Sequence, residues 1–163
     1  GARVSKSDPR VDLLGDVDEL NSWIGVVLAS APGDEVRKTL ELAQHDLFDC
    51  GGALCFPSAT VLTGRHVERI DAAAVALNAG LPPLREFILP GGAPLIAELH
   101  VARTVCRRVE RRAVSFFSHD PKGEHAIAYL NRLSDFLFIA ARYEARRLGV
   151  RETLWEKSKS VGA

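Results

Sequence analysis

The 163-residue chain carries no net charge, since twenty-one Lys and Arg balance twenty-one Asp and Glu. That balance excludes the broad basic field of a nucleic-acid-binding protein, so an anionic ligand must be met by a local cluster. Cysteine is scarce. Cys50, Cys55 and Cys106 are odd in number and lack the paired short spacings of a zinc site, which reads as reduced, buried thiols of a cytosolic protein. No apolar run approaches the roughly 18 residues of a membrane span, and the start carries no secretory apolar core. The expectation is a cytoplasmic protein with neither membrane nor nucleic acid as partner. A Walker A loop, G-x-G-x-x-G, G-x-S-x-G and H-E-x-x-H are all missing, and the five histidines are scattered. Any chemistry must come from less familiar residues.

What is present is helical period. With 47% hydrophobic and 26% charged residues, the length suits one domain, 1–163, with a sizeable core. Residues 1–10 read as a loop ending in Asp8-Pro9, with Asp8 as a helix cap. A first helix over 11–30 carries Leu14, Val17, Ile24 and Leu28 inward, with Asp18, Asn21 and Ser22 on one side. Gly15 and Gly25 weaken it by about 1 kcal/mol each relative to Ala, which suggests close helix contacts. After Ala31-Pro32-Gly33, Asp34 caps a second helix on which Val36, Leu40, Ala43, Leu47, Cys50 and Leu54 keep bundle spacing, with Gly51-Gly52 inside and Pro57 as its end. Thr63 caps a third helix to about Ala79, with Val67, Ile70, Ala74 and Leu77 inward and Gly80 as its stop.

Leu81–Gly92 is a loop by its prolines and glycines, yet its Phe87-Ile88-Leu89 run should be hidden from water. Pro94 opens a fourth helix that ends near 118–123, and a fifth spans 124–148 with Ile127, Leu130, Ser134, Leu137, Ala141 and Leu148 inward. The fold class is therefore all-α, a five-helix up-and-down bundle related to ferritin-like and four-helix bundles. Nothing reads as a sheet. Residues 149–163 form a polar tail whose one large anchor is Trp155.

The fourth helix is the unusual one, because Arg103, Arg107, Arg108, Arg111 and Arg112 fall within ten residues. Its apolar stripe is Leu95, Leu99, Ala102, Cys106, Val109 and Ala113. At about 100° per residue, Arg103, Arg107 and Glu110 lie along one flank of that stripe, and Arg108 and Arg112 on the outer side. On the fifth helix Asn131, Asp135, Phe138 and Arg142 recur beside the stripe. A solvated surface of Glu/Arg pairs is one reading. Arg, carboxylate and amide converging between helices would instead favour a ligand site, since burial without partners is costly.

The strings RVSKSDPRV, GDVDELNSWIG, FILPGG, LHVARTVCRRVERR and YLNRLSDFLFIAARY, in this order, closely resemble the PduO-type ATP:cob(I)alamin adenosyltransferases over about Arg3–Arg147. The resemblance implies a five-helix bundle assembling as a homotrimer, with sites between subunits. It implies transfer of the 5′-deoxyadenosyl group of ATP to the cobalt of reduced cobalamin, with triphosphate released and Mg²⁺ accompanying ATP. By the same resemblance Arg3, Lys6, Arg107, Glu110 and Asn131 meet ATP. Asp18 and Arg103 resemble the family's structural and catalytic ion pair, Phe87 the aromatic at the cobalt face, and Asp135 a second corrinoid contact. Arg108 also matches a family position. A reductase and an adenosylcobalamin-dependent enzyme are the implied protein partners.

Members usually carry a Thr/Gly-rich stretch upstream of RVSK that lines the triphosphate, and this sequence opens at Gly1 without it. The Asp-x-His-x-x-Gly motif that gives cobalt a histidine in other cobalamin proteins is absent, which suits binding without a lower protein nitrogen ligand. Two alternatives stay open on residues alone. The arginines could serve a non-enzymatic nucleotide or polyanion binder, and Phe87 could merely plug the bundle end.

Overall fold

The computed structural model describes residues 5–55, 62–118 and 120–160. Among the described residues five α-helices follow one another, α1 Pro9–Ala29, α2 Asp34–Cys55, α3 Gly64–Asn78, α4 Pro94–Phe117 and α5 Glu124–Arg147, with a single 3₁₀ turn at Pro121–Gly123. Asp8 caps α1 by accepting the Arg10 N–H at 2.8 Å, and Pro9 occupies the first turn, where its missing N–H costs nothing. Thr63 caps α3, its backbone N–H donating to Nδ1 of His66 at 3.1 Å. The residues expected around Pro57 and His119 lie outside the described residues.

Around the bundle the order is α2, α1, α4, α5, α3, with α4 packed most extensively on α5 and α1. Cross-helix pairs give the directions. Glu110 meets Asn131 while Arg103 meets Phe138, so α4 and α5 run antiparallel. Asp71 meets Arg132 while Pro82 meets Arg142, so α3 and α5 run the same way. Consequently α3 and α5 finish, and α4 begins, at one end of the bundle, and the 81–93 loop and the tail meet there.

The α2 stripe Val36, Leu40, Ala43, Leu47, Cys50 and Leu54 is buried throughout, as is the expected α4 stripe. On α1 the buried set is Leu13, Val17, Leu20, Ile24 and Val27; Leu14 and Leu28 sit at its edge, a rotation of one position from the expectation. Two partners on opposite sides, α2 and α4, widen the buried face of α1 beyond one stripe, which blurs its period. On α5 Leu130, Ser134, Leu137 and Ala141 are buried, but Leu148 is exposed past the helix end. Cys55 is exposed rather than buried, whereas Cys106 is sealed in and its Sγ lies 3.2 Å from the Leu130 carbonyl. Burial raises the Cys50 thiol pKa to about 11 and that of Cys106 further still, so both stay protonated at neutral pH.

Of the glycines expected at close contacts, Gly15 faces open space, while a Cβ at Gly51 would meet Leu14 Cδ1 at 3.2 Å. Backbone freedom matters most at the loop-and-tail end. Gly149 ends α5 at φ +66°, and Gly92 takes φ +95° where a Cβ would also press Val150 at 3.2 Å.

Loop and tail are joined by an antiparallel bridge between Ile88 and Leu154, a short piece of β-pairing the sequence did not announce. The Leu89 N–H donates to Thr153 O at 2.8 Å and the Trp155 N–H to Phe87 O at 2.7 Å. The Phe87-Ile88-Leu89 run is not hidden, contrary to expectation: Phe87 is 76% exposed and Leu89 45%. The bridge satisfies the backbone of this segment from the tail, so its side chains need not enter the core.

Candidate active site

Four of the five arginines of α4 divide into two groups with opposite surroundings, while Arg111 donates back to the Arg107 carbonyl at 3.0 Å. Arg108 and Arg112 turn toward α1, where Asp16 lies 3.6 Å from Arg108 Nε and 3.0 Å from Arg112 Nε, and Glu19 pairs with Arg108. These outer arginines are therefore pins between α4 and α1 rather than a solvated face. Asp16, buried at 8% exposure, was missed in the sequence because GDVDELN offers three carboxylates and only the register of α1 says which one turns inward.

Arg103 and Arg107 turn the other way, to the α4–α5 groove, and neither has a carboxylate at ion-pair distance among the described residues. The Arg103 Nε is buried without a hydrogen-bond partner, and its guanidinium sits 6.0 Å from the Phe138 ring centroid. Burial and then the neighbouring Arg107 charge lower the Arg103 pKa. Two cations one turn apart, neither in an ion pair among the described residues, form a place for an anion. Further along the groove Asn131 Nδ2 donates to Glu110 Oε1 at 2.9 Å, which fixes the amide and leaves its oxygen open to a ligand's donor. From Arg103 to Glu110 the strip runs roughly 10 Å along α4 at about 1.5 Å per residue.

At its Arg103 end the strip continues into His100 and Phe138, whose rings lie 6.2 Å apart. Sequence spacing passed over His100, which is 3% exposed with Nδ1 unpartnered; burial and then Arg103 lower its pKa, keeping it neutral.

The groove thus unites Arg103, Arg107, Glu110, Asn131 and Phe138. Other expected site residues lie elsewhere. Asp135 borders the groove but pairs with Arg132 at 3.3 Å. Arg142 leaves the strip altogether, donating to Glu152 and to Pro82 O. Lys6 is exposed in the turn before α1, and Arg3 lies outside the described residues. Phe87 stands at the bundle end where α4 begins. Asp18 is exposed on the far side of α1, in a cleft of about 210 Å³ with Leu14, Leu47, Phe48 and Gly51. Within one chain it does not pair with Arg103.

The family model for cobalamin adenosyltransferases matches residues 1–144. The chain belongs to that family. A cobalamin adenosyltransferase of Cupriavidus metallidurans is 45% identical over 98% of this chain and 87% of its own length. The corrinoid adenosyltransferase of Bacillus subtilis is 40% identical over 99% and 87%. Among solved structures, a variant PduO-type ATP:corrinoid adenosyltransferase from Lactobacillus reuteri, complexed with cobalamin and ATP, superposes with a TM-score of 0.85 at 33% identity, covering 94% of this chain and 90% of that one. Another variant of that enzyme, complexed with ATP, gives 0.86 at 34%, covering 96% and 92%. As a corrinoid adenosyltransferase the chain is an enzyme, and the non-enzymatic binder that the arginines alone allowed falls away. Phe87 is also no plug, because a side chain three-quarters exposed fills no core.

Proposed function

We propose that the α4–α5 groove binds ATP and that the chain transfers its 5′-deoxyadenosyl group to the cobalt of a reduced corrinoid. The observation that carries this reading is the Arg103 guanidinium, its Nε buried without a partner among the described residues, one turn from Arg107 and beside an amide already oriented by Glu110. In this reading Arg107, with Lys6 and Arg3, holds the triphosphate, and Asn131 and Glu110 orient the nucleotide. Co(I) is a strong nucleophile, so displacement at the 5′-carbon needs alignment and a stabilised leaving group rather than a general base. The arginines supply both: the carbon–oxygen bond breaks as the cobalt–carbon bond forms, and the released triphosphate keeps its charge against them.

Among the described residues no three His, Cys, Asp or Glu cluster to hold a metal ion. In this reading Mg²⁺ accompanies the phosphates, with Glu110 the nearest groove carboxylate in sequence to Arg107.

Asp18 and Arg103 are complementary, and among the described residues neither has an oppositely charged partner within hydrogen-bond distance. A homotrimer that lays the α1–α2 face of one subunit on the α4–α5 face of the next gives both a partner and closes the groove. In this reading Phe87, exposed at the bundle end where α4 begins, covers the lower face of the corrinoid, where excluding water and the nucleotide tail eases reduction of Co(II). Asp135, at the groove's border, is the second corrinoid contact in this reading. Anaerobic mixing of the protein with ATP, Mg²⁺ and chemically reduced cobalamin tests the proposal by absorbance. Loss of the Co(I) spectrum with stoichiometric triphosphate is the expected result; a folded protein that leaves Co(I) unchanged would overturn it.

A further inference from the structure

An exposed aromatic ring at a reacting face must be held by something, or its rotamers scatter over solvent. Phe87 is 76% exposed and its ring has one aromatic neighbour among the described residues, Trp155 of the tail. The two rings meet edge to face, with centroids 6.3 Å apart and planes at 77°. The backbone doubles the contact, because the Trp155 N–H donates to the Phe87 carbonyl at 2.7 Å and the Leu89 N–H to Thr153 O at 2.8 Å. The tail is in turn fixed to the bundle. Arg142, 7% exposed on α5, donates from Nε to Glu152 at 3.1 Å and from Nη2 to Pro82 O at 2.9 Å, gripping the tail and the 81–93 loop with one guanidinium.

We propose that Trp155 is a positioning residue for Phe87: the tail, clamped by Arg142 through Glu152, buttresses the ring that faces the corrinoid. The proposal rests on the corrinoid-facing role of Phe87 given above. It assigns a function to the tail and accounts for the burial of Arg142 away from the groove that its spacing with Asn131 and Asp135 suggested. Trp155 touches no reacting atom in this account, and since it is 43% exposed its removal leaves the bundle core intact.

The test compares Trp155→Ala, Trp155→Phe and Phe87→Ala. Turnover is measured from Co(II) cobalamin with a chemical one-electron reductant and from pre-reduced Co(I), alongside melting and amide exchange at Leu89. In Trp155→Ala, turnover from Co(II) should fall roughly 2- to 10-fold more than turnover from Co(I), the worth of one edge-to-face aromatic pair. Melting and the KM for ATP should hold, Leu89 exchange should quicken, and Trp155→Phe should restore both altered readings in large part. Unchanged Leu89 exchange in Trp155→Ala overturns the proposal outright. So does an equal loss from both oxidation states where Phe87→Ala shows a Co(II)-selective one. If Phe87→Ala itself shows no selectivity, the reading of Phe87 falls, and Leu89 exchange alone decides whether Trp155 holds the segment.

Discussion

Arg107 and Asn131 line one groove, but their losses should differ in size. A charge-assisted hydrogen bond to phosphate is worth about 1.5–3 kcal/mol and a neutral one about 0.5–1.5, so Arg107→Ala should weaken ATP use more than Asn131→Ala. Steady-state kinetics in ATP check the order, and unchanged constants in Arg107→Ala would remove that residue from the site. His100 offers a pH test. Its folded pKa lies below its ordinary 6.5, through burial first and the Arg103 charge second, so the unfolded chain takes up the proton more readily. Stability is therefore intact above pH 6.5 and is lost as pH falls from there through the folded pKa. Melting followed across that window should show the fall, and His100→Gln should flatten it; an identical slope in the variant would clear His100. At this scale the sequence was legible where the periodicity of α4 and α5 set side-chain direction, as for Arg103, Arg107 and Asn131. It was illegible where a one-residue rotation decides, as with Asp16 inward and Asp18 outward, or where the partner lies far along the chain, as with Phe87 and Trp155.

The helices themselves could be read because Pro9, Thr63, Pro94 and Gly149 mark ends and the α2 and α4 stripes face one core. The bridge between 88 and 154 could not, since a three-residue pairing has no period of its own. Two variants separate the pins from the site. Asp16→Ala should destabilise the chain by about 1–2 kcal/mol, below the ~3–5 of a fully buried pair because Arg108 and Arg112 remain half exposed. Asp18→Ala, at an exposed position, should leave the melting of the isolated bundle nearly unchanged. Denaturant titration checks both, and the reverse order would mean that the register of α1 is wrong.

For the whole molecule, the proposed site is split between two faces of one chain. The unpartnered arginines lie between α4 and α5, and the unpartnered Asp18 lies on the cleft between α1 and α2. Sequence resemblance names this pair, and within one subunit the two residues lie on different faces, Arg103 against Phe138 and Asp18 beside Phe48. If the two faces meet, the contact is head-to-tail and closes into a ring, and for the three subunits that the resemblance implies sedimentation should show three chains. The most direct test mixes two separately inactive variants, Asp18→Ala and Arg103→Ala, after dissociation and reassembly. At equal mixing about one interface in four joins an intact Asp18 to an intact Arg103, so activity should return to about a quarter of the wild-type value. Mixed trimers that form and stay inactive would contradict an active site shared between subunits.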